Sequence, residues 1–589
     1  MAAIVPIEDL PSLPWLLKVL PVSIDIIVNV AASLVKLGVT GIASLQAQAD
    51  SARSRFNASL QQYNQLAANN VGRGMPTAAM LAQAAQLQVT LFSMTREVSR
   101  IHDQLAATSK SMLQGNGLQY QNALFATTPL PAVAQSLDDD VAFARWRVAG
   151  PNPMLIAGVT ALPPKFPLTN AQYRKVMGND DDLALAGSQH RLYLLDYAEL
   201  AGLARRGPAK FGFAPIALFA IPRNGGAMMP VAIQCGQESG NNLIFLRADR
   251  TADASDYWAW RMAKTCVQIA DTTYHEVFVH LGRTHLVSEA FCVATHRELA
   301  PSHPLNVLLV PHFEGTLFIN SLACFVLIAK GTIIDNLFSG PIETIQQTAG
   351  AGRLAFDFYA NMLPTDLNSR RVDNRAYLPD YPYRDDALLV WKAIQDWVCE
   401  YLGVYYQSDY DVTSDAELAN WVRAVADSGK IRGFRSITSL AQLADVVTMI
   451  VFTASAQHAA VNFPQKALMA YPPAFTASGW SPAPSGAVAQ SQQSWERLAL
   501  PPLPVSMLQI ATLELLGGVY HTPLGEYRSN LFPFSSVFTD PRIAAAGGPL
   551  QRFQASLKAV EATINDRNRT RPQPYDFLLP SRIPCSTNI

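Results

Sequence analysis

Apolar positions along this chain recur mainly at helical spacing. Around residues 19–35, VLPVSIDIIVNVAASLV, the series Ile27, Val30, Leu34 and Leu37 takes one side while Asp25, Asn29 and Lys36 take the other, the pattern of an amphipathic helix. Pro21, Asp25 and Asn29 interrupt the run, and Lys18 and Lys36 close it near the shortest length that spans a bilayer. It therefore reads as a core helix, or as a lid or membrane-surface helix, rather than as a transmembrane span. Polar, helix-prone text follows, a break falls at VGRGMP (71–76), and Pro and Gly are then absent from Thr77 to Gln114, which predicts one long helix. Between about 150 and 250 short β-like runs alternate with turn signals and predict a small sheet. Helical text returns at Trp258 and lasts until YDFLLPSRIPCSTNI, where prolines impose an extended course. No fixed period repeats, which excludes a solenoid. The expected fold class is mainly α with a small β subregion, divided into an N-terminal helical segment, 1–75, and a main body, 76–589.

Composition sharpens this picture. Apolar residues make up 49% and charged residues 15%, below the usual quarter, so much of the chain must be interior or must meet something greasy. Lys plus Arg is 45 against 46 for Asp plus Glu, which gives no basic footprint for nucleic acid. Cys235, Cys266, Cys292, Cys324, Cys399 and Cys585 form no CxxC pair and read as core thiols rather than disulfides or zinc ligands. The start places Glu8 and Asp9 ahead of its apolar run and has no basic region of the kind a cleavable signal peptide needs. A cytoplasmic or membrane-peripheral location is expected, with export as the alternative.

The stretch HEVFVHLGRTH, 275–285, carries histidines at intervals of five inside largely apolar helical text. In a regular α-helix a step of five turns the side chain by about 140° and would scatter the imidazoles over different faces. A π-bulge, with hydrogen bonds from i to i+5, brings residues five apart onto one side. The helix is therefore expected to widen here because something binds two of the histidines together. A zinc-protease motif is a poor fit, since HExxH needs an i, i+4 pair and here the second histidine comes one residue late.

Written out, the series is His275-x4-His280-x4-His285-x17-His303-x8-His312, followed by TLFINSLA. It resembles the signature helix of the lipoxygenases, the non-haem iron dioxygenases of polyunsaturated fatty acids. FARWRVAGPNPMLI at 143, DYPYRDDALLVWKAIQDWVCEYLGVYY at 380, ASAQHAAVNFPQ at 454 and the terminal LLPSRIPCSTNI resemble further blocks of that family, in the same order. The resemblance runs from about Phe143 to Ile589 and implies a large lipoxygenase-type helical catalytic domain. Because residues 1 to 140 read as helical, it is closest to the bacterial type, which has an N-terminal helical lid in place of a β-barrel.

The resemblance implies one iron, cycling between ferrous and ferric states, held by His280, His285, His458, Asn462 and the main-chain carboxylate of Ile589. Nitrogen and oxygen donors of this kind suit iron, whereas thiolates would favour zinc or copper(I). His275, His296, His303 and His312 are expected to be core residues, and Glu276 and Gln465 fall where the family places hydrogen-bonding groups that orient ligands. The implied reaction is hydrogen abstraction at a ferric hydroxide, followed by addition of O2, giving S-type hydroperoxides of the linoleate and arachidonate class. Ala323 matches a position that influences stereochemistry, while Leu327, Ile334 and Leu516 match positions whose bulk sets which carbon reacts. Many relatives follow that alanine with arginine, where this chain has Cys324. A monomer that can contact phospholipid, through a helical lid within 1–75, completes the expectation. Two other readings stay open: a hydroperoxide isomerase making epoxyalcohols on the same fold, and a lipid-binding protein without activity.

Overall fold

The computed structural model describes residues 5, 9–70, 76–113, 115–203, 210–238, 240, 243–486, 488–528 and 536–589; most of the break expected at 71–76 lies outside them. Three long helices lead the chain: α1 (Leu13–Lys36), α2 (Ala43–Asn70) and α3 (Ala78–Met112). Ser12 caps α1 by accepting from the Trp15 N–H at 3.2 Å, and Pro14 sits in the first turn, where its missing N–H costs nothing. The three helices pack on one another, and α1 also lies against the helix Leu503–Leu516. Leu13, Leu16, Leu20, Ile24, Ile27, Val30 and Leu34 form its buried stripe, each such side chain contributing about 1.5–3 kcal/mol when fully buried. By length and composition α1, Pro304–Val326 and Leu440–Met469 could each cross a membrane, and half of α1's apolar window is buried within the protein.

The apolar helix runs through Pro21 to Lys36, and one detail departs from the sequence reading. Asn29, expected on the polar side, is buried: its amide donates to Leu124 O at 2.8 Å and accepts from the N–H groups of Thr127 (2.8 Å) and Thr128 (3.2 Å). A neighbouring segment covers that flank, and Asn29 satisfies the backbone groups which the covering would otherwise strand. Asp25 does face solvent, paired with Arg53 at 2.6 Å.

The expected sheet is an antiparallel meander, β1 (Ala157–Val159), β2 (Leu192–Asp196), β3 (Ile216–Ala220), β4 (Met229–Gln234) and β5 (Ile244–Leu246), paired in chain order. Its register slips between Leu218 and Phe219, opposite Pro230, and such a bulge is where a proline that cannot donate to the ladder is tolerated. Ahead of Ala157 the described residues hold helices and no strand.

Two rods cross the core. One runs as α-helix from Ala254 to Tyr274, as π-helix from His275 to His285, and as α-helix again from Leu286 to Glu298. The other runs from Leu440 to Asn462, with a π turn at Thr453–Gln457 immediately before the α-helical His458–Asn462. The cysteines are all free; Cys235, Cys266, Cys292 and Cys585 are buried as expected of core thiols, Cys324 is half-buried and Cys399 is exposed.

Candidate metal centre

The π segment sets the geometry. The Leu286 N–H reaches back five residues to Leu281 O, and the Thr284 hydroxyl donates to Val279 O at 2.8 Å, also across five residues. With the turn widened, His280 and His285 face each other, their Nε2 atoms 3.3 Å apart. His458 comes from the second rod, its ring 5.6 Å from that of His280 and 5.1 Å from that of His285. One ring nitrogen from each of the three lies within 4.8 Å of the others, and all three residues are buried.

Hydrogen bonds fix which nitrogen of His285 carries the proton. The Asn320 amide nitrogen donates to Glu289 Oε2 at 2.8 Å, so its oxygen must be the atom facing His285 Nδ1, also at 2.8 Å. Nδ1 therefore holds the hydrogen and Nε2 keeps its lone pair. Burial, followed by the neighbouring His280, pushes the His285 imidazole down to about 3. Burial likewise lowers His280 and carries His458 well below the ordinary range. Among the described residues neither ring nitrogen of His458 meets hydrogen-bond geometry, although the Ile589 main chain lies beside the ring. Three buried neutral imidazoles whose ring nitrogens converge offer the donor set a metal takes, so the residues fit a bound metal.

The remaining sequence-derived residues fall around this cluster. Asn462 donates to Leu516 O at 2.8 Å, accepts from the Gln465 amide at 2.7 Å, and its side chain reaches the His280 ring. Its carbonyl oxygen is thus the atom available to a metal, and Gln465 holds it in that orientation. Glu276 lies 3.6 Å from His280 Nδ1, beyond hydrogen-bond reach, and 3.4 Å from His275 Nδ1. Burial raises the Glu276 carboxyl, but the two imidazoles outweigh it and hold the group below the usual carboxylate range. His275 bonds Val461 O at 2.8 Å through Nε2 and stacks on His280, a core role. His303 caps the helix Pro304–Leu309 and bonds Asp415 at 3.0 Å.

Ile589 is buried, and its main chain lies beside the His458 ring. The tail reaches that depth because each of its residues is tied down. The Cys585 N–H donates to Thr522 O at 2.8 Å, and Cys585 O accepts from His312 Nδ1 at 2.8 Å. Ser586 donates to Glu314 O at 2.7 Å, and the Thr587 hydroxyl meets that of Thr316 at 2.7 Å. Gly315, at φ +74°, lets the chain pass: a Cβ there would stand 3.2 Å from Asn588 Cβ.

A narrow apolar cavity of about 10 Å³ adjoins the cluster, walled by Leu327, Ile334, Leu516, Phe338 and Leu513, with Glu276 also lining it. Three of the four residues assigned to the pocket from sequence thus share one wall. Ala323 is not among the residues lining it; it stands half-buried on the helix Thr316–Val326. The sequence reading did not single out Asn320 or Glu289. The signal was available: Glu289 follows His285 by four residues on the same helix face, where a carboxylate can hold a ligand's partner.

Buried neutral imidazoles from two crossing helices, next to an apolar cavity and the chain's own terminus, define a helical protein with a candidate non-haem metal site. A family model described as Lipoxygenase matches residues 52–574. The chain is 50% identical to the Linoleate 9/13-lipoxygenase of Pseudomonas aeruginosa, covering 100% of this chain and 87% of that one. It is 33% identical to a polyunsaturated fatty acid lipoxygenase of Homo sapiens, over 79% of this chain and 68% of the other. Among solved structures, a lipoxygenase crystallised anaerobically in complex with arachidonate superposes with TM-score 0.76 at 29% identity, over 84% of this chain and 74% of that one. The chain belongs to the lipoxygenase family, and it is an enzyme, a dioxygenase of that family.

Proposed function

We propose that this enzyme oxygenates polyunsaturated fatty acids of the linoleate and arachidonate class at a single non-haem iron held by His280, His285, His458, Asn462 and the Ile589 carboxylate. The observation that carries this reading is the convergence of three unprotonated imidazole nitrogens, beside the chain terminus, at the edge of an apolar cavity. Iron, when bound, supplies the one-electron couple that lets a hydrogen atom leave a methylene between two cis double bonds before dioxygen adds.

The chain's own residues hold and orient. Asn320 keeps the His285 lone pair aimed inward, and Gln465 does the same for the Asn462 oxygen. Leu327, Ile334 and Leu516 present methyl groups to an aliphatic chain and exclude water from it, so that position rather than polar recognition selects the reacting carbon. Similarity to the linoleate and arachidonate proteins above supports the substrate class. The S configuration rests on Ala323 by family resemblance alone.

Oxygen uptake with linoleate and arachidonate, followed by chiral chromatography and metal analysis of the same sample, tests this. Stoichiometric uptake with S hydroperoxides is expected from protein carrying about one iron per chain. Consumption of added hydroperoxide with little oxygen uptake would instead identify an isomerase, and R products would remove the role given to Ala323.

We further propose that α1 and α2 cover the substrate entrance, meet phospholipid, and do so in a monomer. A second cavity, of about 70 Å³ between α1 and Leu503–Leu516, supports the cover. Flotation with phosphatidylcholine vesicles checks the lipid contact, and light scattering checks the monomer. Protein that stays at the bottom of the gradient sinks the first idea, and a dimer mass sinks the second.

A further inference from the structure

The metal-site residues identified from sequence all lie between 276 and 589, yet the tail that carries Ile589 is also held from the opposite end of the chain. The Trp15 indole N–H donates to the Asn588 carbonyl at 2.8 Å, across 573 positions of sequence. The Ile589 side chain packs in a small apolar cluster with Val19 of α1 and Val519, flanked by Trp15, Val22, Leu515 and Leu516. Trp15 is itself fixed, its ring edge-on to Phe318 at 6.0 Å on the helix that also supplies Thr316 and Asn320.

These contacts act on the last two residues, where the Asn588 side chain also donates to Ser586 Oγ at 3.1 Å and the Ile589 main chain lies beside the His458 ring. The bonds from Thr522, His312, Glu314 and Thr316 secure residues 585–587. Beyond Thr587 two peptide units remain, and Trp15 occupies the carbonyl of the penultimate residue. A free chain end turns about its last bonds, and it must lose that freedom to present a carboxylate. The indole bond and the Val19 contact remove that freedom in advance.

We infer that Trp15 is a positioning residue for the terminal carboxylate, so that α1 is part of the frame of the metal centre as well as a cover over the fold. The inference rests on reading Ile589 as a ligand. It links the N-terminal helix to the metal: whatever lifts α1 also releases Asn588 and loosens Ile589.

The test uses the full-length, iron-loaded enzyme. Trp15→Phe keeps the ring and removes the N–H, and Val19→Ala removes part of the packing on Ile589. Leu34→Ala, at the far end of α1 where the side chain is fully buried, serves as the control for a loss of stability that does not touch the tail. Both tail-contacting variants are expected to lose iron to a chelator about tenfold faster than wild type, the size of one lost hydrogen bond or methyl contact. They should also show a broadened ferric EPR signal, faster hydrogen exchange in the peptide 583–589, and a lower kcat at unchanged KM for linoleate. Equal iron release from Leu34→Ala, or unchanged release from both tail-contacting variants, overturns the inference. A chain extended by one glycine after Ile589 is run alongside. If it retains iron, the reading of Ile589 as a ligand has failed. If it loses iron while Trp15→Phe and Val19→Ala do not, only the role of Trp15 and Val19 has failed.

Discussion

Asn320 does for His285 what no change within the imidazole itself could do. Its amide is pinned by Glu289 Oε2 at 2.8 Å, so the side chain can offer only its oxygen to His285 Nδ1. Asn320→Ala leaves that N–H without an acceptor, removes one donor from Glu289, and frees the ring to turn. Metal affinity is expected to fall about 10–100-fold, read as iron per chain after dialysis against a graded chelator; affinity within twofold of wild type would show that the bond has no such role. His312 supplies a second residue-scale prediction, concerning pH. Trp397 Nε1 donates to the Tyr527 oxygen at 3.0 Å, Tyr527 donates to His312 Nε2 at 3.0 Å, and His312 Nδ1 donates to Cys585 O, a chain that requires the neutral ring. Burial accordingly lowers His312 from 6.5 to about 4. Between those values the unfolded chain binds a proton that the folded chain refuses, so stability present above pH 6.5 is lost as pH falls toward 4, by about 2 kcal/mol already at pH 5. The melting temperatures of wild type and His312→Gln should converge between pH 7.5 and pH 5; parallel curves would refute the assignment.

At the scale of elements, the π segment is the decisive piece, and it is packed as tightly as it is wound. The helix Ile342–Ala355 lies against it, and a Cβ on Gly352 would stand 2.5 Å from the Phe278 ring, inside contact distance. Gly352→Ala therefore pushes Phe278, three residues from Leu281, out of its place. The expected cost is about 1–3 kcal/mol, seen as a lower melting temperature together with reduced iron content, since the displaced turn carries His280. Full iron content with wild-type stability would mean that the segment is softer than its packing indicates. This element was legible in the sequence because histidines five apart in apolar helical text share a face only where the turn widens. The π turns at Thr453–Gln457 and Gln465–Met469 were not, since His458 and Asn462 keep an ordinary four-residue step and nothing in TASAQ or QKALM marks a wider one. The sheet between β1 and β5 was legible from alternating runs and turn residues. Asn29 was misplaced because a count of polar positions sees the helix alone, and the covering segment that makes its burial favourable comes about 95 residues later.

For the whole molecule, the point is that the proposed ligands, from widely separated parts of the chain, meet only in the folded state. His280 and His285 lie on one rod, His458 on a second, and Ile589 on a tail that is held down to its last residues by Thr522, His312, Glu314, Thr316 and α1. A metal bound at this point crosslinks three segments and stabilises the native state by mass action, about 3–4 kcal/mol when free metal stands at 100 to 1,000 times its dissociation constant. Removing it withdraws one of the restraints on Ile589, so the end of the tail moves first. Chelator-treated protein should therefore melt at a lower temperature and become sensitive to carboxypeptidase, losing Ile589 and Asn588 while its helical circular dichroism stays intact. Reconstitution with ferrous iron before digestion restores resistance, but after digestion it does not, because the carboxylate then presented belongs to another residue set short of His458. Equal melting temperatures and equal carboxypeptidase resistance with and without metal would break the connection between the ion and the tail, leaving the burial of Ile589 a matter of packing alone.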